Sequence, residues 1–179
     1  METINVLDKQ FELLIPEMKI QKAVRRLAAR LNEDYFNKEV VFLAILNGTF
    51  MFAADLLRQV KLACTISFVK LSSYSGAESS GCVYELIGIN EILEGKNIIV
   101  LEDIIDTGTT VSGFLEVLGK YHPASVSIVT LLLKPEACRE SVKPDYVGLE
   151  VPNKFVIGYG LDYMGSGRNY PFICSMVSS

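Results

Sequence analysis

Residues 97–111 read Asn97-Ile98-Ile99-Val100-Leu101-Glu102-Asp103-Ile104-Ile105-Asp106-Thr107-Gly108-Thr109-Thr110-Val111, and they change character twice. The first five are an apolar run rich in β-branched residues, which predicts a buried strand. Glu102 and Asp103 follow at once, and two adjacent acids leaving a buried strand are costly unless a cation, a sugar hydroxyl or solvent meets them. After Ile104 and Ile105 come Asp106-Thr107-Gly108-Thr109-Thr110, and then Val111, Phe114, Leu115 and Leu118 at helical spacing. A threonine- and glycine-bearing turn at a helix start offers backbone N–H groups and hydroxyls to an anion. The stretch is therefore half of a βαβ unit, with a candidate site for a sugar, a phosphate and a divalent metal.

Working outward, the same alternation recurs. Val40–Leu46 predicts a second buried strand, broken at Asn47-Gly48-Thr49, with a helix from Phe50 to about Gln59. Cys64–Leu71, Val83–Ile89, Ser125–Leu133, Tyr146–Val151, Phe155–Ile157 and Phe172–Val177 predict further strands. Residues 16–36 carry Ile20, Val24, Leu27, Leu31 and Tyr35 on one face, an amphipathic packing helix with Pro16 as its first residue. Residues 1–15 read as one extended segment. Solid apolar strands alternating with helices predict an α/β fold, a mostly parallel twisted sheet flanked by helices, in a single domain over residues 1–179. Asn47, Glu102, Asp103, Asp106 and Lys134 all follow strands, so they can converge on one sheet edge, where open α/β sheets place ligands. Residues 73–82 are the most loop-like part of the chain, and a lid and a plain hairpin connection are equally compatible with them.

Composition narrows the classes. A net charge of −4 and a pI of about 5.1 leave no basic stripe for nucleic acid, and Arg25, Arg26 and Arg30 read as a solvated helix face. Cys64, Cys82, Cys138 and Cys174 form no CxxC pair, and His122 is the sole histidine, which argues against a structural zinc site and a histidine-based triad. The cysteines read as buried thiols. No apolar run is long enough to span a membrane and no signal peptide is read, so the expected compartment is cytoplasmic and the Asn47-Gly48-Thr49 sequon is expected to be accidental.

The phosphate cradle is of neither common type, because GxGxxG between strand and helix and GxxxxGK followed by Ser or Thr are both absent. The 106–110 turn suits a terminal monophosphate, while Glu102 and Asp103 suit ribose hydroxyls and Mg²⁺. Asp106 has two readings at this point, a helix N-cap or a general base aimed beyond the sugar.

These residues carry a resemblance. Val100 to Thr110 is similar to the phosphoribosyl-pyrophosphate (PRPP) motif of type I phosphoribosyltransferases. Leu46-Asn47-Gly48 ahead of 50–56, Ser72-Ser73-Tyr74, and Phe155 to Tyr163 resemble the purine branch of that family. The resemblance implies that fold, with a small hood formed by terminal segments and a lid at about 73–82 bearing Ser73 and Tyr74. It implies transfer of a phosphoribosyl group from PRPP to a 6-oxopurine base, in a homodimer or homotetramer, with no nucleic-acid or membrane partner. Glu102 and Asp103 would hold the ribose hydroxyls, partly through Mg²⁺, and Asp162 would carry a second Mg²⁺ and count among the purine-binding residues; Asp106, Thr107, Gly108, Thr109 and Thr110 would bind the 5′-phosphate; Asp106 would also manage the proton at purine N7. Asn47, Gly48 and Arg168 would meet pyrophosphate, with a non-proline cis peptide common in that loop. Lys134 would contact the exocyclic oxygen, Phe155 would stack on the base and the Val156 backbone would read its edge. Two departures stand out: the family commonly has Lys or Arg at Asn47, and Lys or Asn at Thr109. A xanthine-preferring enzyme shares these features, and a PRPP-sensing RNA-binding regulator is the rival of a different class, opposed by the acidic pI.

Overall fold

The computed structural model describes residues 3–74, 83–87, 92–138 and 142–177. In chain order the elements are β1 (Thr3–Val6), β2 (Lys9–Ile15), α1 (Glu17–Asp34), β3 (Val40–Leu46), α2 (Phe50–Leu57), β4 (Cys64–Tyr74), β5 (Val83–Ile87), β6 (Asn97–Ile105), α3 (Thr109–Gly119), β7 (Ser125–Leu133), β8 (Tyr146–Glu150), β9 (Val156–Ile157) and β10 (Ile173–Met176).

The main sheet has the order β5-β4-β3-β6-β7-β8. Strands β4, β3, β6, β7 and β8 run parallel, and β5 joins β4 antiparallel. The period of two in a strand explains why β3 is apolar throughout. Its Phe42 and Ala44 join α1 and α2 in one core, while Val41, Leu43 and Ile45 join Phe114 and Leu118 of α3 in the other. Each of these fully buried Leu, Ile and Phe side chains contributes about 1.5–3 kcal/mol. The α1 stripe is the one its periodicity predicts, with Ile20, Val24, Leu27 and Leu31 buried. Pro16 is its N-cap rather than its first helical residue. Arg26 donates to the Gly148 carbonyl and Arg30 lies 4.8 Å from the centroid of the Tyr146 ring, so two of the three arginines hold α1 to β8.

A second, antiparallel sheet of order β1-β2-β10-β9 forms the hood, around Val6, Phe11, Ile157 and Cys174. Residues 1–15 are therefore not one extended segment: the chain reverses at Leu7, which takes a φ of 53°. Nor are the thiols uniformly buried, because Cys64 is exposed; Cys138 donates to the Val142 carbonyl at 3.4 Å, and Cys82 lies outside the described residues. The parallel strands bring Asn47, Asp103, Asp106 and Lys134 to one sheet edge, and the hood brings Phe155, Asp162 and Arg168 over it.

Candidate active site

Strand β6 runs on to Ile105, so Glu102 and Asp103 lie within it rather than after it, and Glu102 is in register with Thr130 of β7. Alternation then separates the two acids. Glu102 lines a small hollow of about 80 Å³ with Thr107, Thr109 and Thr110, whereas Asp103 lines a cleft of about 290 Å³ with Asn47 and Gly48. Glu102 is buried and its Oε2 has no hydrogen-bond partner among the described residues. Burial, and then the charge of Asp103, hold its carboxyl well above the usual range. Burial also pushes Asp103 up, to about 6, against the Ile104 N–H, which donates to Oδ1 at 2.8 Å, and against the Arg168 charge; Asp162 adds to the rise.

The turn after β6 is closed by Gly108, the N-cap of α3, at a φ of 81°. A Cβ there would fall 2.8 Å from Val142 Cγ2, so glycine suits both the conformation and the space. Asp106 is therefore not the cap. Its Oδ2 instead accepts from Lys134 Nζ at 2.5 Å. Lys134 is 7% exposed and its backbone N–H donates to the Ile105 carbonyl at 2.9 Å, which locks it at the end of β7 beside β6. The Thr107 and Thr109 hydroxyls lie 3.0 Å apart at the mouth of the turn.

On the far side of the cleft, the Leu46–Asn47 peptide is cis, and a Cβ on Gly48 would overlap Asp103 Oδ2. A Cβ on Gly160 would overlap the Gly48 carbonyl oxygen, so the 46–49 turn and the 158–168 loop meet backbone to backbone. Arg168 pairs with Asp162 at 2.6 Å and donates to the Gly160 carbonyl at 2.7 Å, while the Gly165 N–H donates to Asp162 Oδ2 at 2.6 Å. Phe155 is 47% exposed at the cleft, set edge-on to Tyr163 with centroids 5.9 Å apart, and Val156 is buried beside it.

One cleft thus gathers Asn47, Gly48, Asp103, Asp106, Lys134, Phe155, Val156, Asp162 and Arg168. The threonine turn and Glu102 adjoin it through Ile104 and Asp106, which line both. A larger hollow, about 460 Å³, opens where β3, β4 and β6 begin, near Glu39, Cys64 and Lys96, and holds none of the candidate residues. Ser73 and Tyr74 sit at the end of β4, paired with Tyr84 and Val83, so the strand reaches past the Leu71 boundary; residues 75–82 lie outside the described ones.

Sequence reasoning passed over three residues here. Leu161 lines the cleft, Gly160 makes the backbone contact, and the buried Thr49 hydroxyl has no partner among the described residues. The Gly158-Tyr159-Gly160 pattern, in which all three residues have positive φ, was the available signal. Among the described residues no three His, Cys, Asp or Glu side chains group as a metal cage. Asp103 and Asp162 share the cleft, and a hard cation held by them would complete its shell with waters and substrate oxygens. No helix among the described residues is long and apolar enough to cross a membrane.

The phosphoribosyl transferase domain family matches residues 14–164. A hypoxanthine-guanine phosphoribosyltransferase of Staphylococcus aureus is 39% identical over 163 residues, 90% of this chain and 91% of that one. A hypoxanthine phosphoribosyltransferase of Salmonella typhimurium is 38% identical over 169 residues, 93% of this chain and 95% of that one. A crystal structure of a hypoxanthine-guanine phosphoribosyltransferase from Bacillus anthracis superposes with a TM-score of 0.83 at 37% identity, covering 93% of this chain and 99% of that one.

Proposed function

This chain belongs to the phosphoribosyl transferase family, and from that premise we propose how its cleft performs one reaction of purine salvage. The enzyme transfers the 5-phosphoribosyl group from PRPP to N9 of hypoxanthine, and of guanine, giving IMP or GMP and pyrophosphate. One observation carries the assignment of roles: a single cleft gathers the Asp106–Lys134 pair with Asp103, Asp162 and Arg168, beside the threonine turn at the start of α3.

The turn from Asp106 to Thr110 takes the 5′-phosphate, where hydroxyls and the N-terminus of α3 favour negative charge. Glu102 and Asp103 take the ribose hydroxyls from opposite faces of β6. Pyrophosphate lies between the Asn47–Gly48 backbone and Arg168. Asn47 has no charge, so backbone donors carry more of that contact than a lysine would require. Asp103 and Asp162, which line the same cleft, with Glu102 adjoining, would hold Mg²⁺, which would supply positive charge to the leaving pyrophosphate.

At the base end Lys134 donates to the exocyclic oxygen, which adenine lacks, while Phe155 stacks on the ring and the Val156 backbone reads its edge. The bond from C1′ to the pyrophosphate oxygen breaks as the bond from N9 forms, and the base gives up its N7 proton, which the Asp106 carboxylate accepts. The developing oxocarbenium charge must be kept from water, and we assign that role to a lid over residues 73–82, with Ser73 and Tyr74 at its root on β4. The catalytic unit is one phosphoribosyltransferase domain spanning at least residues 14–164, and the family resemblance favours a homodimer or homotetramer.

The deciding experiment measures PRPP- and Mg²⁺-dependent pyrophosphate release with hypoxanthine, guanine, xanthine and adenine side by side. Turnover is expected with the 6-oxopurines and not with adenine. Silence with every base would replace the enzyme by a PRPP-sensing regulator.

A further inference from the structure

Tyr159 touches no substrate in the roles above, yet its ring is 2% exposed and its hydroxyl donates to Asp55 Oδ2 at 2.6 Å. Asp55 belongs to α2, which begins directly after the Asn47–Thr49 turn, so fixing Asp55 fixes that turn. Two other groups hold its carboxylate in place: Gln21 of α1 donates to the same oxygen at 2.6 Å, and Arg58 pairs with the other. Tyr159 in turn belongs to a segment pinned to itself. Its N–H donates to the Tyr170 carbonyl at 2.8 Å, the Gly160 N–H to the Arg168 carbonyl at 2.9 Å, and the Arg168 guanidinium back to Gly160. The loop bearing Asp162 and Arg168 is therefore one body, and the 46–49 turn with α2 is another. At Gly160 the nearest atoms across the join are the Gly48 backbone, which sets a limit of approach, and the Tyr159 ring packs in the core that holds Phe52, Ala53 and Leu56 of α2, where apolar contact is non-directional and only the hydroxyl fixes an orientation.

We propose that the Tyr159–Asp55 hydrogen bond is the strut that sets these two bodies against each other, so that Tyr159 and Asp55 are positioning residues for the pyrophosphate end of the site. The base end is held by other means: Lys134 and Asp106 by β6 and β7, Val156 by its pairing with Ser175 of β10. Loss of the strut therefore acts on one substrate. Replacing Tyr159 with phenylalanine keeps the packed ring, and Asp55 retains Gln21 and Arg58, so no buried charge is orphaned. This inference rests on the transferase reading.

The test is Tyr159→Phe, read by steady-state kinetics with each substrate varied and by calorimetric binding of pyrophosphate with Mg²⁺. The KM for PRPP and the Kd for pyrophosphate should each rise about tenfold, with the KM for hypoxanthine changed less than about twofold. Adding Tyr159→Phe to Asp55→Ala should weaken pyrophosphate binding no further than Asp55→Ala alone, because Asp55→Ala, which also frees Gln21 and Arg58, has already removed the bond that Tyr159→Phe breaks. An unchanged pyrophosphate Kd, equal rises in both KM values, or additive losses would overturn the proposal. Wild-type protein that releases no pyrophosphate would overturn the transferase reading and this one with it; wild-type turnover beside an unmoved Tyr159→Phe overturns this one alone.

Discussion

Replacing Asp103 with asparagine should make the unliganded protein more stable at neutral pH while ruining its use of PRPP. The carboxyl titrates at about 6 in the fold against an ordinary 3.8, chiefly because burial penalises its charged form. The folded state therefore holds the proton more tightly than the unfolded chain. Between these two values stability falls as pH rises, and above about 6 the full penalty is present. A rise of about two pH units corresponds to about 3 kcal/mol as a ceiling. Partial solvent access at Asp103 screens this, so about 1–2 kcal/mol is expected at pH 7.5, or on the order of 1 M in the urea midpoint. Asparagine keeps an oxygen for the Ile104 N–H and removes the charge that also raises Glu102, which acts in the same direction. The assay is urea unfolding of both proteins, without ligand, at pH 7.5 and pH 5.0. The variant's advantage should shrink at the lower pH. Equal midpoints at pH 7.5, or an advantage that grows on acidification, would refute the reasoning.

Three further substitutions probe the remaining parts of the site. Asp106→Ala should lower kcat by about 10²–10⁴-fold, and wild-type turnover in that variant would remove Asp106 from the proton transfer. Lys134→Ala should reduce kcat/KM for hypoxanthine far more than any residual use of adenine; parallel losses would sink its selectivity role. Gly160→Ala places a Cβ against the Gly48 carbonyl oxygen at a φ of 101°, so thermal unfolding should show at least about 1–3 kcal/mol of lost stability from the backbone alone.

The parallel sheet was legible because burial on both faces leaves solid apolar runs, as in β3 and in residues 98–101 of β6, and because β3 stops at a polar turn. The convergence of the candidate residues followed, since Asn47, Asp103, Asp106 and Lys134 stand at or near the ends of neighbouring strands. Other features carried weaker signals. The first hairpin turns on Leu7 and Asp8 with no glycine or asparagine, so Asp8 alone marks the reversal within residues 1–15. Asp106 reads equally well as a cap until the left-handed Gly108 is seen to hold that place. The chain prints Glu102 and Asp103 as neighbours, and only the extension of β6 through them separates their side chains. Tyr159 reads as another apolar residue because its partner lies on α2, far away in sequence.

The split between Glu102 and Asp103 makes the end of β6 a partition wall. A substrate with its phosphate on the α3 side and its leaving group on the α2 side must straddle the edge of the sheet. Such a molecule works as a clasp between the two cores, which are otherwise joined mainly through the strands themselves. Occupancy should accordingly slow amide exchange in α2 and α3 together, and a fragment carrying only the phosphate should protect α3 alone.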